Sequence, residues 1–225
     1  MQEDKYYENA EKPNLEPRMA ACAAWQVADP AAQKGCWRAL KPDCTALWVE
    51  VGCGKGKFTV ETAQANPTVL VIAIERCREA MVMAMEKAKA MGLTNVFFVD
   101  MDVALMEGCF DQGEIDRLFI NFPDPWPRSK NAKRRLTYRT FLRLYSRVLK
   151  NGGEIHFKTD NAKLFAFTLE ELEALNLPTS EVTDDLHANG PVGIMTGYEE
   201  KFYNLGTPIH RCVVTTHHIF EENDQ

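Results

Sequence analysis

The chain has 225 residues, of which 45% are hydrophobic and 26% charged, with a formal net charge of −6. That is the composition of an ordinary folded protein of one or two domains, and it excludes a disordered or collagenous chain. A net negative charge argues against a nucleic-acid binder, since phosphate needs clustered Lys and Arg, but residues 128–150 hold nine basic side chains and no acidic one.

The seven cysteines (22, 36, 44, 53, 77, 109 and 212) form no C-x-x-C pair, which fits unpaired thiols in a reducing compartment and gives no support for a zinc cluster. No basic start followed by an apolar run opens the chain, so no secretory signal is expected. No stretch reaches the roughly 18 apolar residues of a membrane span.

Residues 1–45, rich in Ala, Pro and charge, predict a partly ordered N-terminal arm with a short helix near 17–28. The pattern then changes. ALWVEVG (46–52), VLVIAIE (69–75), NVFFVD (95–100), IDRLFINF (115–122) and GEIHFKTD (153–160) read as short buried strands. Helical patterns fall between them at 57–65, 77–91 and 137–149, the last stopped by Asn151-Gly152-Gly153. A further helix is expected over 161–175 and a final strand over 209–219. Strands and helices alternating in this way predict a mostly parallel sheet covered on both faces. Ligands of such sheets bind beyond the carboxyl ends of the strands.

Four strand ends carry candidate chemistry. The first runs into Glu50-Val51-Gly52-Cys53-Gly54-Lys55-Gly56, whose glycines permit a tight turn and close ligand approach. The dinucleotide fingerprint wants a glycine where Lys57 stands, so the spacing does not favour a pyrophosphate. Glu75 ends the second strand, where a carboxylate can accept from two ribose hydroxyls; Asp100 or Asp102 ends the third. The plainer reading makes the glycines a turn and the acids helix caps. At the fourth strand end, Asn121-Phe122-Pro123-Asp124-Pro125-Trp126-Pro127-Arg128 holds one carboxylate between two prolines of fixed φ, directly before a basic run. Trp126 reads equally as a stacking face or a core residue. Arg135, Arg139, Arg143 and Arg147 recur every four residues, which predicts one helical stripe facing phosphates. Adjacent His217 and His218 point to opposite faces of a strand and make a poor metal site. Met81, Met85 and Met91 read as core filler, and Cys53 lacks a partner base.

The segments VEVGCGKGKF, AIE (73–75), FPDPWPRSKNAKRRLTY, FKTD (157–160) and TGYEEKF (196–202) resemble those of the bacterial tRNA (guanine-N7-)-methyltransferases over roughly 46–215. The resemblance implies an α/β class I methyltransferase (Rossmann-like) fold, a seven-stranded and mostly parallel sheet with helices on both faces and an antiparallel last strand. It makes 46–225 a single methyltransferase domain behind the 1–45 arm. It implies S-adenosylmethionine as cofactor, held by Glu50, Gly52, Gly54, Gly56, Glu75, Asp102 and Asp124, with Asp124 catalytic and no metal. Arg128, Asp160, Thr196, Gly197, Tyr198 and Glu199 match substrate-binding positions. Arg128 stands where the family commonly has lysine, which keeps the charge but changes donor geometry. The implied substrate is the guanine at position 46 in the variable loop of tRNA, methylated to 7-methylguanosine. A cytoplasmic monomer or homodimer without an obligate protein partner is expected.

Three rivals are weaker. Amino-group methyltransferases use Asn or Asp followed by Pro-Pro and an aromatic, whereas here Asp124 stands between prolines. A nicotinamide-dependent enzyme is opposed by the glycine spacing. A catalytically dead RNA-binding protein would be free to lose the acids that this chain keeps.

Overall fold

The computed structural model describes residues 14–217. Five apolar runs become strands: β1 (Ala46–Val51), β2 (Val69–Ile74), β3 (Val96–Val99), β4 (Ile115–Asn121) and β5 (Leu149–Thr159). Two more, β6 (Thr179–Thr183) and β7 (His210–Thr215), complete a seven-stranded sheet in the order β3-β2-β1-β4-β5-β7-β6. The first five pair in parallel, and β7 runs antiparallel to both β5 and β6. The sheet therefore has the mixed character expected of it. Sequence pattern located six of the strands and missed β6, all of whose residues but Thr183 are exposed.

Seven helices are described: α1 (Leu15–Ala21), α2 (Lys57–Ala65), α3 (Arg78–Ala90), α4 (Met106–Cys109), α5 (Arg139–Val148), α6 (Ala162–Ala174) and α7 (Gly197–Asn204). Strand side chains alternate between faces, so β2 serves two cores. Leu70, Ile72 and Ile74 pack with Trp37, Tyr145 of α5 and Leu164 and Leu172 of α6. Val69, Val71 and Ala73 pack with Val60 and Ala63 of α2 and Met81 and Met85 of α3. Each fully buried Leu, Ile or Val contributes roughly 1.5–3 kcal/mol through removal of its surface from water.

One boundary differs from expectation. Asn151-Gly152-Gly153 does not end a helix. It lies inside β5, which starts at Leu149 and bends at Gly152 (φ +74). A Cβ on Gly153 would lie 2.9 Å from the Lys150 carbonyl, so the bend leaves room only for glycine. The described part of the N-terminal arm is anchored to the sheet. Leu15, Met19 and Cys22 are buried, Val27 N–H donates to the Phe98 carbonyl (2.9 Å), and Trp37 is fully buried with its indole N–H on the Cys109 carbonyl (2.8 Å). The helix expected near 17–28 is α1 followed by a 3-10 turn at Ala23–Trp25. Among the described residues no helix is long and apolar enough to cross a membrane.

Candidate active site

Strand order reverses at β1, which lies between β2 and β4. The chain leaves those two sides in opposite directions and opens a crevice beyond the strand ends. The glycine loop lines it. Gly52, Gly54 and Gly56 all have positive φ (74°, 53° and 72°), which L side chains rarely adopt. A Cβ on Gly52 or Gly54 would meet nothing within 4 Å, so both face open space. Gly56 differs: a Cβ there falls on the Ala84 side chain of α3.

Two acids shape this loop from below. Glu50 is only 2% exposed and accepts from the Thr59 hydroxyl and from Asn121 Nδ2 (3.0 Å). Burial pushes its carboxyl up, against those hydrogen bonds. Glu75 accepts from the backbone N–H of Gly54 (2.8 Å) and of Cys77 (2.9 Å), tying the loop to the start of α3. A carboxylate has about four lone-pair sites, so capacity for further donors remains. At the third strand end, Arg78 holds Asp100 (3.5 Å), while Asp102 is exposed and accepts from the Ala104 N–H (2.9 Å). Burial, then Glu50 and Glu75, push the Cys53 thiol well up, which keeps it protonated and unreactive.

Asn121 closes β4, and its Oδ1 is buried without a partner. The loop that follows is strained on both sides of Asp124: Phe122 (φ +52) and Trp126 (φ +41) are left-handed without being glycine. Asp124 itself is exposed. Phe122 N–H donates to the Lys158 carbonyl (2.8 Å), and the Phe122 ring meets Tyr198 at 5.4 Å. The Arg134 guanidinium lies over the Trp126 ring at 4.2 Å.

The end of β5 brings Asp160 beside the start of α7. Burial and then Asp160 raise the Tyr198 hydroxyl, although that side chain is 50% exposed. Thr196 and Glu199 form a capping box on α7: the Thr196 hydroxyl accepts from Glu199 N–H (2.9 Å), and the Glu199 carboxylate accepts from Thr196 N–H (3.1 Å). Glu199 is fully buried. It also pairs with Lys158 (2.5 Å) and accepts from His187 Nε2 (2.9 Å), whose Nδ1 accepts from Val192 N–H (3.2 Å). Its carboxylate is therefore committed to the protein's own groups, and contact with a substrate would need one of them displaced. Gly197 and Tyr198, by contrast, are exposed.

Part of the expected arginine stripe forms: Arg139, Arg143 and Arg147 lie on α5. Arg135 precedes α5 and hydrogen-bonds the Pro125 and Trp126 carbonyls (3.1 and 3.0 Å). Arg139 pairs with the buried Glu171 of α6 (2.8 Å), and Arg147 with Glu107 of α4 (2.8 Å). Exposed cations follow the Asp124 loop directly in the chain: Arg128, Lys130, Lys133 and Arg134, on the 3-10 segment 129–134 and its cap. Met81 and Met85 are core residues, whereas Met91 is 37% exposed. His217 is exposed, and His218 lies outside the described residues. Among the described residues no group of three His, Cys, Asp or Glu side chains is placed to hold a metal ion.

The seven-stranded sheet, its order and the glycine loop at the reversal point define a class I methyltransferase fold. Solved structures agree: an antibiotic-related methyltransferase (TM-score 0.60, 17% identity) covers 80% of this chain and 91% of its own. The 16S rRNA methyltransferase KamB aligns likewise (TM-score 0.60, 16% identity, 80% and 90%). A family described as putative methyltransferases matches residues 45–212. The tRNA (guanine-N(7)-)-methyltransferase of Bacillus velezensis is 42% identical over 90% of this chain and 94% of its own. That of Halalkalibacterium halodurans is 44% identical over 83% and 85%. The chain belongs to the tRNA (guanine-N7-)-methyltransferase family.

Proposed function

We propose that this protein transfers a methyl group from S-adenosylmethionine to N7 of a guanine in tRNA, the variable-loop guanine at position 46, and that it acts in the cytoplasm without an obligate protein partner. The observation that carries this reading is the exposed Asp124, held between two prolines and two left-handed residues beside the glycine loop. The relatives, similar over nine-tenths of the chain, are named for that reaction.

The crevice suits the cofactor. Gly52 and Gly54 leave open space above the loop, Glu75 retains acceptor capacity for ribose hydroxyls, and Asp102 is exposed at the next strand end. When bound, S-adenosylmethionine supplies a methyl group activated by its sulfonium. The chain's residues do the rest. Guanine N7 is a lone-pair acceptor in the major groove and carries no proton at neutral pH, so no base is required there. Positive charge moves onto the guanine ring as the methyl group arrives. Asp124 and Asp160 accept from the guanine N1–H and amine and stabilise that charge. The exposed Tyr198 and the half-buried Trp126 offer aromatic faces to a base drawn out of its stack. Arg128 and the cations after it meet phosphates.

Methyl transfer from labelled S-adenosylmethionine to unmodified tRNA, followed by nucleoside analysis, tests the reading. 7-Methylguanosine is the expected product, and its loss from tRNA with position 46 replaced is expected to follow. Another methylated base would reject it.

A further inference from the structure

Arg135 sits in the densest basic run of the chain, yet its side chain turns inward. Its Nε donates to the Pro125 carbonyl (3.1 Å) and its Nη2 to the Trp126 carbonyl (3.0 Å). The guanidinium lies over the Phe167 ring of α6 at 4.3 Å. Its own backbone is held on both sides: its N–H donates to Ala132 O (3.0 Å), and its carbonyl accepts from Tyr138 N–H (2.9 Å). Two residues on, the Thr137 and Thr168 hydroxyls meet at 2.7 Å, and Arg139 is fixed to Glu171 through both its side chain and its backbone N–H. Arg135 is thus mounted on the Phe167 face of α6.

Its two hydrogen bonds fall on the carbonyls immediately after Asp124. Those carbonyls belong to a loop whose Phe122 and Trp126 are left-handed. Such backbone persists only where surrounding contacts over-determine it. A planar fork reaches two neighbouring carbonyls while keeping one face on an aromatic ring; an ammonium group cannot reproduce that.

We infer that Arg135 is a positioning residue for methyl transfer: it holds the Pro125–Trp126 backbone, and through it the Asp124 carboxylate, against a post on α6. This rests on the reading of Asp124 as the carboxylate that meets the guanine. A displacement of about 1 Å at a reacting group can lower a rate on the order of a hundredfold, so a backbone clamp of this kind has a kinetic consequence without touching substrate.

The test compares Arg135→Ala, Arg135→Lys and Asp124→Ala in the full chain, with thermal unfolding as the folding control. Three quantities are read: the single-turnover rate at saturating tRNA, the salt dependence of tRNA affinity, and amide exchange over residues 121–128. Both Arg135 variants are expected to lose about tenfold to a hundredfold in rate, to exchange faster across the loop, and to keep the wild-type salt slope. Arg135→Lys serves as the second variant should Arg135→Ala fold poorly. A phosphate ligand would behave oppositely: Arg135→Ala would lose about one unit of slope, Arg135→Lys would recover it, and rates at saturation would be normal. That result overturns the inference. An inactive Asp124→Ala beside fully active Arg135 variants overturns the clamp alone. A fully active Asp124→Ala overturns the catalytic reading beneath it.

Discussion

Replacing Gly56 with alanine separates two reasons for a glycine at one position. Its φ of +72° is left-handed, which costs an L-residue roughly 1–2 kcal/mol. The added methyl also falls on the Ala84 Cβ and lies 2.9 Å from the Ala84 Cα. Neither atom belongs to a flexible side chain, so α3 must move; overpacking of this kind costs about 1–3 kcal/mol. The sum is about 2–5 kcal/mol, or a fall in Tm of roughly 5–15 °C for a domain of this size. Urea unfolding should show the same loss with m unchanged. Ala84→Gly removes one of the two clashing atoms. Alone it should destabilise by about 1 kcal/mol through helix propensity. Combined with Gly56→Ala it should restore part of the loss, with a coupling energy of about 1–3 kcal/mol. Gly52→Ala, where nothing lies within 4 Å, should show only the backbone penalty and no coupling to position 84. Additive effects of Gly56→Ala and Ala84→Gly would refute the steric reasoning.

Asp124→Ala should reduce methyl transfer by at least about a hundredfold while cofactor affinity, read by calorimetry, stays near wild type; loss of cofactor binding instead would remove Asp124 from the catalytic role. Lys158→Met should destabilise by roughly 3–5 kcal/mol, because it leaves the Glu199 carboxylate buried without its cation. A loss below about 1 kcal/mol would show that His187 and the Thr196 N–H suffice for that charge. Glu171→Gln should cost about 1–2 kcal/mol at pH 7, Arg139 being nearly half-exposed. Hydrogen bonding to Arg139 holds the Glu171 carboxyl below its ordinary value. Its contribution is therefore complete above the unfolded-state pKa of about 4.3 and disappears as pH falls through the lower folded value. The stability gap between wild type and variant should close on acidification; a gap that widens below pH 5 would contradict the assignment.

Elements with their own apolar pattern were legible in the sequence. β1 to β5 announced themselves as apolar runs, and the glycine loop, Glu75 and Asp124 stood at their ends. β6 did not, because Thr179–Thr183 lies at the sheet edge and buries little. The arginine periodicity placed Arg139, Arg143 and Arg147 on one helix but not Arg135 outside it, and spacing contains no information about distant acids: Glu171 and Glu107 lie on other helices. Thr59, Asn121, Lys158 and His187 escaped notice for the same reason, since their partners are 9 to 71 residues away. One signal was available and unused: Thr196 and Glu199 have capping-box spacing, which foretells a helix starting at 197.

The position of β7 bears on how the protein is made. β6 has β7 as its strand neighbour, and β7 in turn fills the place beside β5. During synthesis the glycine loop, Glu75 and the Asp124 loop leave the ribosome well before β7, and the first five strands can pair among themselves. Chains tend to fold from the N-terminal side as they emerge. The segment from His187 through α7, which covers Lys158 and sets Tyr198 against Phe122, lies in the chain between β6 and β7. Leu186 N–H is fastened to the carbonyl of Ile209, just ahead of β7. A nascent chain stopped short of Ile209 would thus hold β1 to β5 while leaving β6 without its strand neighbour and the segment over Lys158 without its anchor.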